Sequence, residues 1–230
     1  MRTFLIVFSI LAIAIFAFHF QKSIYDHTTQ PWTEFLAAIS AWLITLFDSN
    51  VIAQGVQILT LDPSANSQHF VGIQIVAGCN GIEAWLVLVA AIMAFPPYSR
   101  IKLRWIVLAM AVILLVPPYH GYWLYKALFA LLFLFITQLF SPIGKQKLWG
   151  VLIGFVAVQS MNILRVISLF YLGQWDKEIF DFAHYYLWQA LIILDAFVVF
   201  LIWLSILPDV ENHPGDNDQN DIPPAVTAWD

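Results

Sequence analysis

Apolar residues run through this chain in helix-length blocks separated by short polar or proline-bearing breaks. The blocks predict spans at about 4–20, 81–96, 105–118, 122–140, 149–167 and 184–207, near the length needed to cross a bilayer. A signal peptide is a poor reading of the first block, because Ala12, Ala14 and Ala17 lead into Phe18-His19-Phe20 rather than a small-x-small cleavage site. Pro31 to Phe47 differs from the others. Trp32, Phe35, Leu36, Ile39, Trp42, Leu43 and Leu46 keep helical spacing, while Thr33, Glu34, Ser40 and Thr45 fall off that stripe. This pattern predicts an amphipathic helix on the membrane surface or against the bundle, with a true crossing as the alternative. From Val51 the period changes to two: Val56 and Ile58, then Val71, Ile73 and Ile75, flank the turn formers Asp62 to Ser67. That alternation predicts a small extracytoplasmic β-hairpin. The expected fold class is an all-α integral membrane protein of about six transmembrane helices, plus the interfacial helix and the hairpin.

Composition agrees. The chain is 61% hydrophobic and 11% charged, where a soluble domain is nearer a quarter charged, and its mean hydropathy is +0.79. Six of the fifteen acids lie beyond Leu207, which divides the chain into a membrane domain, 1–207, and an acidic tail, 208–230, expected to be disordered and cytoplasmic. A net charge of −5 does not suggest a nucleic-acid partner. One cysteine excludes an internal disulfide and a CxxC site. The histidines show no mutual ligand spacing, so no metal or other cofactor is expected.

The single cysteine, Cys79, lies where the hairpin turns into an apolar helix. Asn80 is a good N-cap and Glu83 stands three residues later, the spacing of a capping box. A sulfur near a helix N-terminus is favoured as an anion, the nucleophilic form; the alternative is an inert buried thiol. Arg165 interrupts the apolar run Ile163 to Ile167, and a guanidinium inside a span is a functional candidate by default. Asn162 shares its helix face. His184 opens the last span, with Asp181 at i−3 positioned to orient its ring. Asp195, inside that span, marks an interior face or an ion path.

Charge fixes the register. Arg100, Lys102 and Arg104 form one basic loop and Lys145 with Lys147 another, both cytoplasmic by the positive-inside rule. Six spans with both ends inside then bring Cys79, Arg165 and His184 to one depth at the outer face. Tyr171 to Ala183 becomes an outer loop.

Gly78-Cys79-Asn80-Gly81-Ile82-Glu83-Ala84, then Asn162 to Ile167 around Arg165, then Phe182-Ala183-His184 before a terminal span resemble the exosortase/archaeosortase family, and within it the compact exosortase H subgroup. The resemblance runs from about Trp32 to Leu207. It implies a membrane-embedded cysteine transpeptidase with Cys79 as nucleophile and Arg165 and His184 completing the catalytic set. It also implies a bacterial inner-membrane enzyme whose site faces the periplasm or exterior. The implied substrates are membrane-anchored envelope proteins with a C-terminal sorting signal of the PEP-CTERM kind: a short motif, a span and a basic end. Asn80 stands where many relatives carry serine, and Glu83 near where they carry a basic residue. The acidic tail offers a complement to a basic substrate end, or only solubility. Two other classes remain open on the residues alone: a non-catalytic membrane scaffold in which Arg165 pairs with Asp195, and a small transporter using the same two residues.

Overall fold

The computed structural model describes residues 2–61, 72–96, 133, 136–137 and 140–207. The predicted spans 105–118 and 122–140 fall almost wholly outside these residues. The Asp62–Ser67 turn, the Arg100–Arg104 basic run and the tail 208–230 fall outside them too.

Helix α1 (Arg2–His19) is followed by a single helical turn, α2 (Lys22–Ile24), a π-helical turn (Tyr25–Thr29) and α3 (Gln30–Thr45). The chain bends by 70° between α1 and the segment that follows. Strands β1 (Val51–Gln54), β2 (Gln57–Thr60) and β3 (Gly72–Gln74) form an antiparallel sheet in that order. The β1–β2 hairpin turns through Gly55-Val56, with the glycine at φ 58° in the first turn position, where a type II′ hairpin needs it. The expected β2–β3 pairing is present, and β1 adds a third strand to it. Helix α4 (Ile82–Ala94) follows, then α5 (Gly144–Trp175), α6 (Lys177–Phe182), a second π-helical turn (Ala183–Leu187) and α7 (Trp188–Ile206).

By length and composition, α5 and the continuous stretch Lys177–Ile206 are each able to cross a membrane, and the bent α1/α3 pair makes a third crossing if taken as one broken span. At 13 residues α4 is apolar but short. The exposed faces of α1 and α7 are apolar, with Ile10, Ile13, Ile193, Phe197 and Ile206 all outward, as lipid contact allows.

α3 overturns the simple use of its stripe. Thr33, Leu36, Ala37, Ser40, Ala41 and Ile44 are buried, while Phe35, Trp42 and Leu46 point outward. The helix packs its small and polar face on the sheet and on α5. In a membrane the large apolar face costs nothing outside, while the inner face gains from close approach and hydrogen bonding. The outer loop expected at Tyr171 to Ala183 is also corrected. α5 continues to Trp175, and Asp176 then starts α6 by accepting from the N–H groups of Glu178 (2.7 Å) and Ile179 (3.0 Å). This is an ordinary aspartate N-cap, so the segment is helix, break, helix.

α4 packs on α1, α5 and α7 around Leu88, Ile92, Val151, Val158, Ile192 and Trp203. Lys147, fully buried, donates from Nζ to the Met93 carbonyl at 3.3 Å, a cation on a helix C-terminus. That contact sets the end of α4 beside the start of α5. The start of α4 therefore meets the later half of α5, where Arg165 lies.

Candidate functional site

Cys79 is the last residue of a turn that begins as β3 ends: its N–H donates to the Val76 carbonyl at 3.0 Å. Gly78 (φ 81°) and Gly81 (φ 74°) on either side both adopt left-handed backbone, which glycine enters without steric cost. Gly81, not Asn80, is the N-cap of α4, so the expected capping box does not form. Asn80 instead reaches forward from one residue earlier, its Oδ1 accepting from Ile82 N–H at 3.1 Å. Its Nδ2 donates to Thr33 Oγ1 at 3.1 Å, and Thr33 donates on to the Thr29 carbonyl at 2.7 Å. Asn80 and Thr33 are both buried, so this chain ties the cysteine turn to α3. Glu83 turns away, its Oε1 standing 3.5 Å from Nε2 of the buried His19 on α1. That removes the like-charge conflict a carboxylate near the sulfur would create.

The three residues expected to meet do meet. Arg165, only 1% exposed, donates from a terminal guanidinium nitrogen to Cys79 Sγ at 3.3 Å. His184 Nε2 lies 3.8 Å from the same sulfur. They are 86 and 105 residues away in sequence. His184 sits in the second π-helical turn, and such turns recur at functional sites because they re-aim side chains inside a helix. Its ring stacks on Phe180, with centroids 5.6 Å apart and planes 16° apart, and meets Tyr185 edge-on at 4.7 Å.

The supporting residues are placed less as expected. Asp181 lines the same cavity, but among the described residues no hydrogen bond joins it to the His184 ring. The ring is held by Phe180, one helical turn back, which the sequence reading passed over. Asn162 is fully buried without a hydrogen bond to Arg165. It packs under Gly81 together with Gln159, and a Cβ at position 81 would lie 3.1 Å from Gln159 Nε2 and 3.2 Å from Asn162. The side-chain N and O atoms of both residues are buried with no partner among the described residues. Gln159 and Thr33 were also missed. Their only signal was polarity on helix faces that burial later explained. No ion pair joins Arg165 to Asp195 among the described residues. Asp195 lies about three turns further along from His184, roughly 16 Å at 1.5 Å per residue.

A cavity of about 520 Å³ opens over the sulfur. Its walls are β3 with Ile75 and Val76 on one side, and the end of α5 with α6 and His184 on the other. Among the described residues, no three His, Cys, Asp or Glu side chains gather as a metal site would require. What the arrangement offers is a thiol, an imidazole and a fixed cation around one sulfur at the floor of a cleft.

No curated protein and no solved structure matches the chain. A family model does: the transmembrane exosortase model matches residues 1–117. That stretch carries Thr33, Cys79, Asn80 and Glu83 and ends before Asn162, Arg165 and His184. As the match spans just over half of the 230 residues, the chain belongs to the transmembrane exosortase family.

Proposed function

We propose that this protein is a cysteine peptidase or transpeptidase of the membrane, acting on the C-terminal sorting signals of membrane-anchored envelope proteins. The observation that carries the reading is the convergence of Arg165 and His184 on Cys79 Sγ from two distant helices. Cys79 attacks the scissile carbonyl, forming a carbon–sulfur bond. His184 takes the thiol proton and delivers it to the departing amine as the carbon–nitrogen bond breaks. Its 3.8 Å separation from the sulfur is short enough to tighten into a hydrogen bond when substrate is bound. Arg165 stabilises negative charge on the sulfur and on the tetrahedral oxyanion, where a fixed cation shielded from water counts for most. Water or an envelope nucleophile then cleaves the thioester, and its proton returns to the sulfur through His184.

A guanidinium that donates to the sulfur rather than pairing with Asp195 favours this reading over a scaffold or a transporter. For the setting we propose six crossings in a bacterial inner membrane, with both termini cytoplasmic and the cleft facing the periplasm or exterior. The basic loops carry Arg100, Lys102 and Arg104, and Lys145 and Lys147, while Lys177 stands beside Asp176, Glu178 and Asp181. That asymmetry supports the orientation.

The test is Cys79→Ser in cells that accumulate proteins with the three-part tail. The variant is expected in the membrane at wild-type level with uncleaved precursor building up, since serine is a poor nucleophile in a site arranged for a thiolate. Normal processing in that variant would remove Cys79 from the mechanism.

A further inference from the structure

The cavity over Cys79 has one wall made of backbone. Among the described residues, β3 pairs with β2 on one side only. Ile75 donates to the Val56 carbonyl at 3.0 Å, and strand alternation then turns the peptide groups of Ile73 and Ile75 toward β2. Those of Gly72 and Gln74 face the other way, along an edge that has no strand partner among the described residues and lines the cavity with Ile75 and Val76. The edge leads straight into the sulfur, because the strand's continuation ends in the turn that closes from Cys79 N–H to the Val76 carbonyl. An unpaired edge is a ready template for another extended chain. Across the cleft, Gln174 also lines the cavity, and its Nε2 is buried without an acceptor among the described residues.

We propose that the scissile segment of the substrate binds as an extended strand on the free edge of β3, completing a four-stranded sheet that delivers its carbonyl to Cys79. The occupant is an extended polypeptide, because the edge offers alternating N–H and C=O groups rather than a shaped side-chain pocket. Gln174 supplies a donor to a peptide carbonyl on the opposite side. The cavity volume of about 520 Å³ suits a few residues of extended chain. Recognition through the backbone leaves the sequence motif to be read by the side chains that alternate between the cleft walls. This proposal rests on Cys79 being the nucleophile.

The test uses the full-length protein in detergent, a tetrapeptide chloromethyl ketone (acetyl-Ala-Val-Ala-Val), its counterpart N-methylated at alternate residues, and iodoacetamide as a small control. The unmodified ketone is expected to alkylate Cys79 at least about tenfold faster than the methylated one, the effect of losing one or two peptide hydrogen bonds. Gln74→Pro removes an edge N–H that β2 does not use, a substitution edge strands accept. It should narrow the gap between the two ketone rates while the iodoacetamide rate stays as in wild type. Gly72 is unsuitable for this purpose, since a Cβ there would overlap the Ile58 carbonyl. Equal ketone rates in the wild type, with normal iodoacetamide reaction, would overturn the edge proposal alone. A Cys79 that reacts with none of the three reagents would overturn the nucleophile assignment, and the edge proposal with it.

Discussion

The two halves of α5 are packed by opposite chemistry. Its first half presents Gly150, Val151, Gly154 and Val158 to α4 and α7, and the spaces left by the glycines are filled by Trp203 and Leu88. Its second half buries Gln159, Asn162 and Arg165 beneath the cysteine turn. Apart from Lys147, whose Nζ rests on the Met93 carbonyl, the buried side of the first half is apolar and interlocks with its neighbours at these glycines. Among the described residues, the second contains a cation with no carboxylate beside it and two carboxamides without partners. Such groups lower stability unless compensated. One helix therefore separates the two tasks: interlocking at one end, chemistry at the other. Substitutions in the first half should act on stability, and substitutions in the second on activity.

The largest departure is expected at Arg165. Arg165→Lys keeps the charge and loses the planar fork that reaches the sulfur. Processing should fall by about 10²–10³, the range for removing one oxyanion-stabilising donor, with membrane levels unchanged. A single-turnover rate on a tailed precursor measures it. Free replacement by lysine would make Arg165 an interfacial anchor and dissolve the contrast between the halves.

Gly150 tests the other end. A Cβ there would overlap the Trp203 indole, whose Nε1 donates to the Gln146 carbonyl at 2.9 Å. Gly150→Ala should cost about 1–3 kcal/mol through overpacking, seen as a lower melting temperature in detergent. The turnover of the folded fraction should match wild type. A variant that kept its melting temperature but lost turnover would show that the first half also serves the reaction.

The sequence disclosed the site better than its surroundings. Cys79, Arg165 and His184 each broke the texture of an apolar chain, and their side chains meet at the sulfur; the loop charges that predicted a common depth lie partly outside the described residues. Their neighbours were hidden for physical reasons. The stripe on α3 was read correctly as periodic, but periodicity does not say which face meets lipid, and the buried face proved to be the one with Thr33 and Ser40. The Asn80–Glu83 spacing fits a capping box, yet Gly81 takes the left-handed cap position and frees both side chains for other partners. Between Tyr171 and Ala183, polar residues suggested a loop, although Asp176 is an N-cap that restarts the helix. The outer row of β3 was legible only once the register with β2 fixed which peptide groups face away. The count of six crossings rests on the sequence blocks: α5 and Lys177–Ile206 are long and apolar enough to cross, α1 reaches that only together with α3, α4 is short, and 105–118 with most of 122–140 lies outside the described residues.

The smallest expected effect has the opposite sign. Asn162 is fully buried, and its Oδ1 and Nδ2 find no partner among the described residues. Each buried polar group left unpaired costs about 1–3 kcal/mol, whereas leucine has the same branched outline, with more volume, and no such requirement. The space under Gly81 is tight, with Asn162 Cβ and Cγ at 3.2 Å from a Cβ position on that residue, so strain from the branched side chain offsets part of the gain. Asn162→Leu should therefore stabilise the protein by about 1 kcal/mol, raising the melting temperature by a few degrees, while processing declines. Natural proteins keep such a group when the site needs it more than the fold does. A stabilised variant with full processing would make Asn162 a tolerated defect, leaving Arg165 to carry the contrast alone. A destabilised variant would mean that the carboxamide does satisfy a partner, and that the polar half of α5 is held together as firmly as the first.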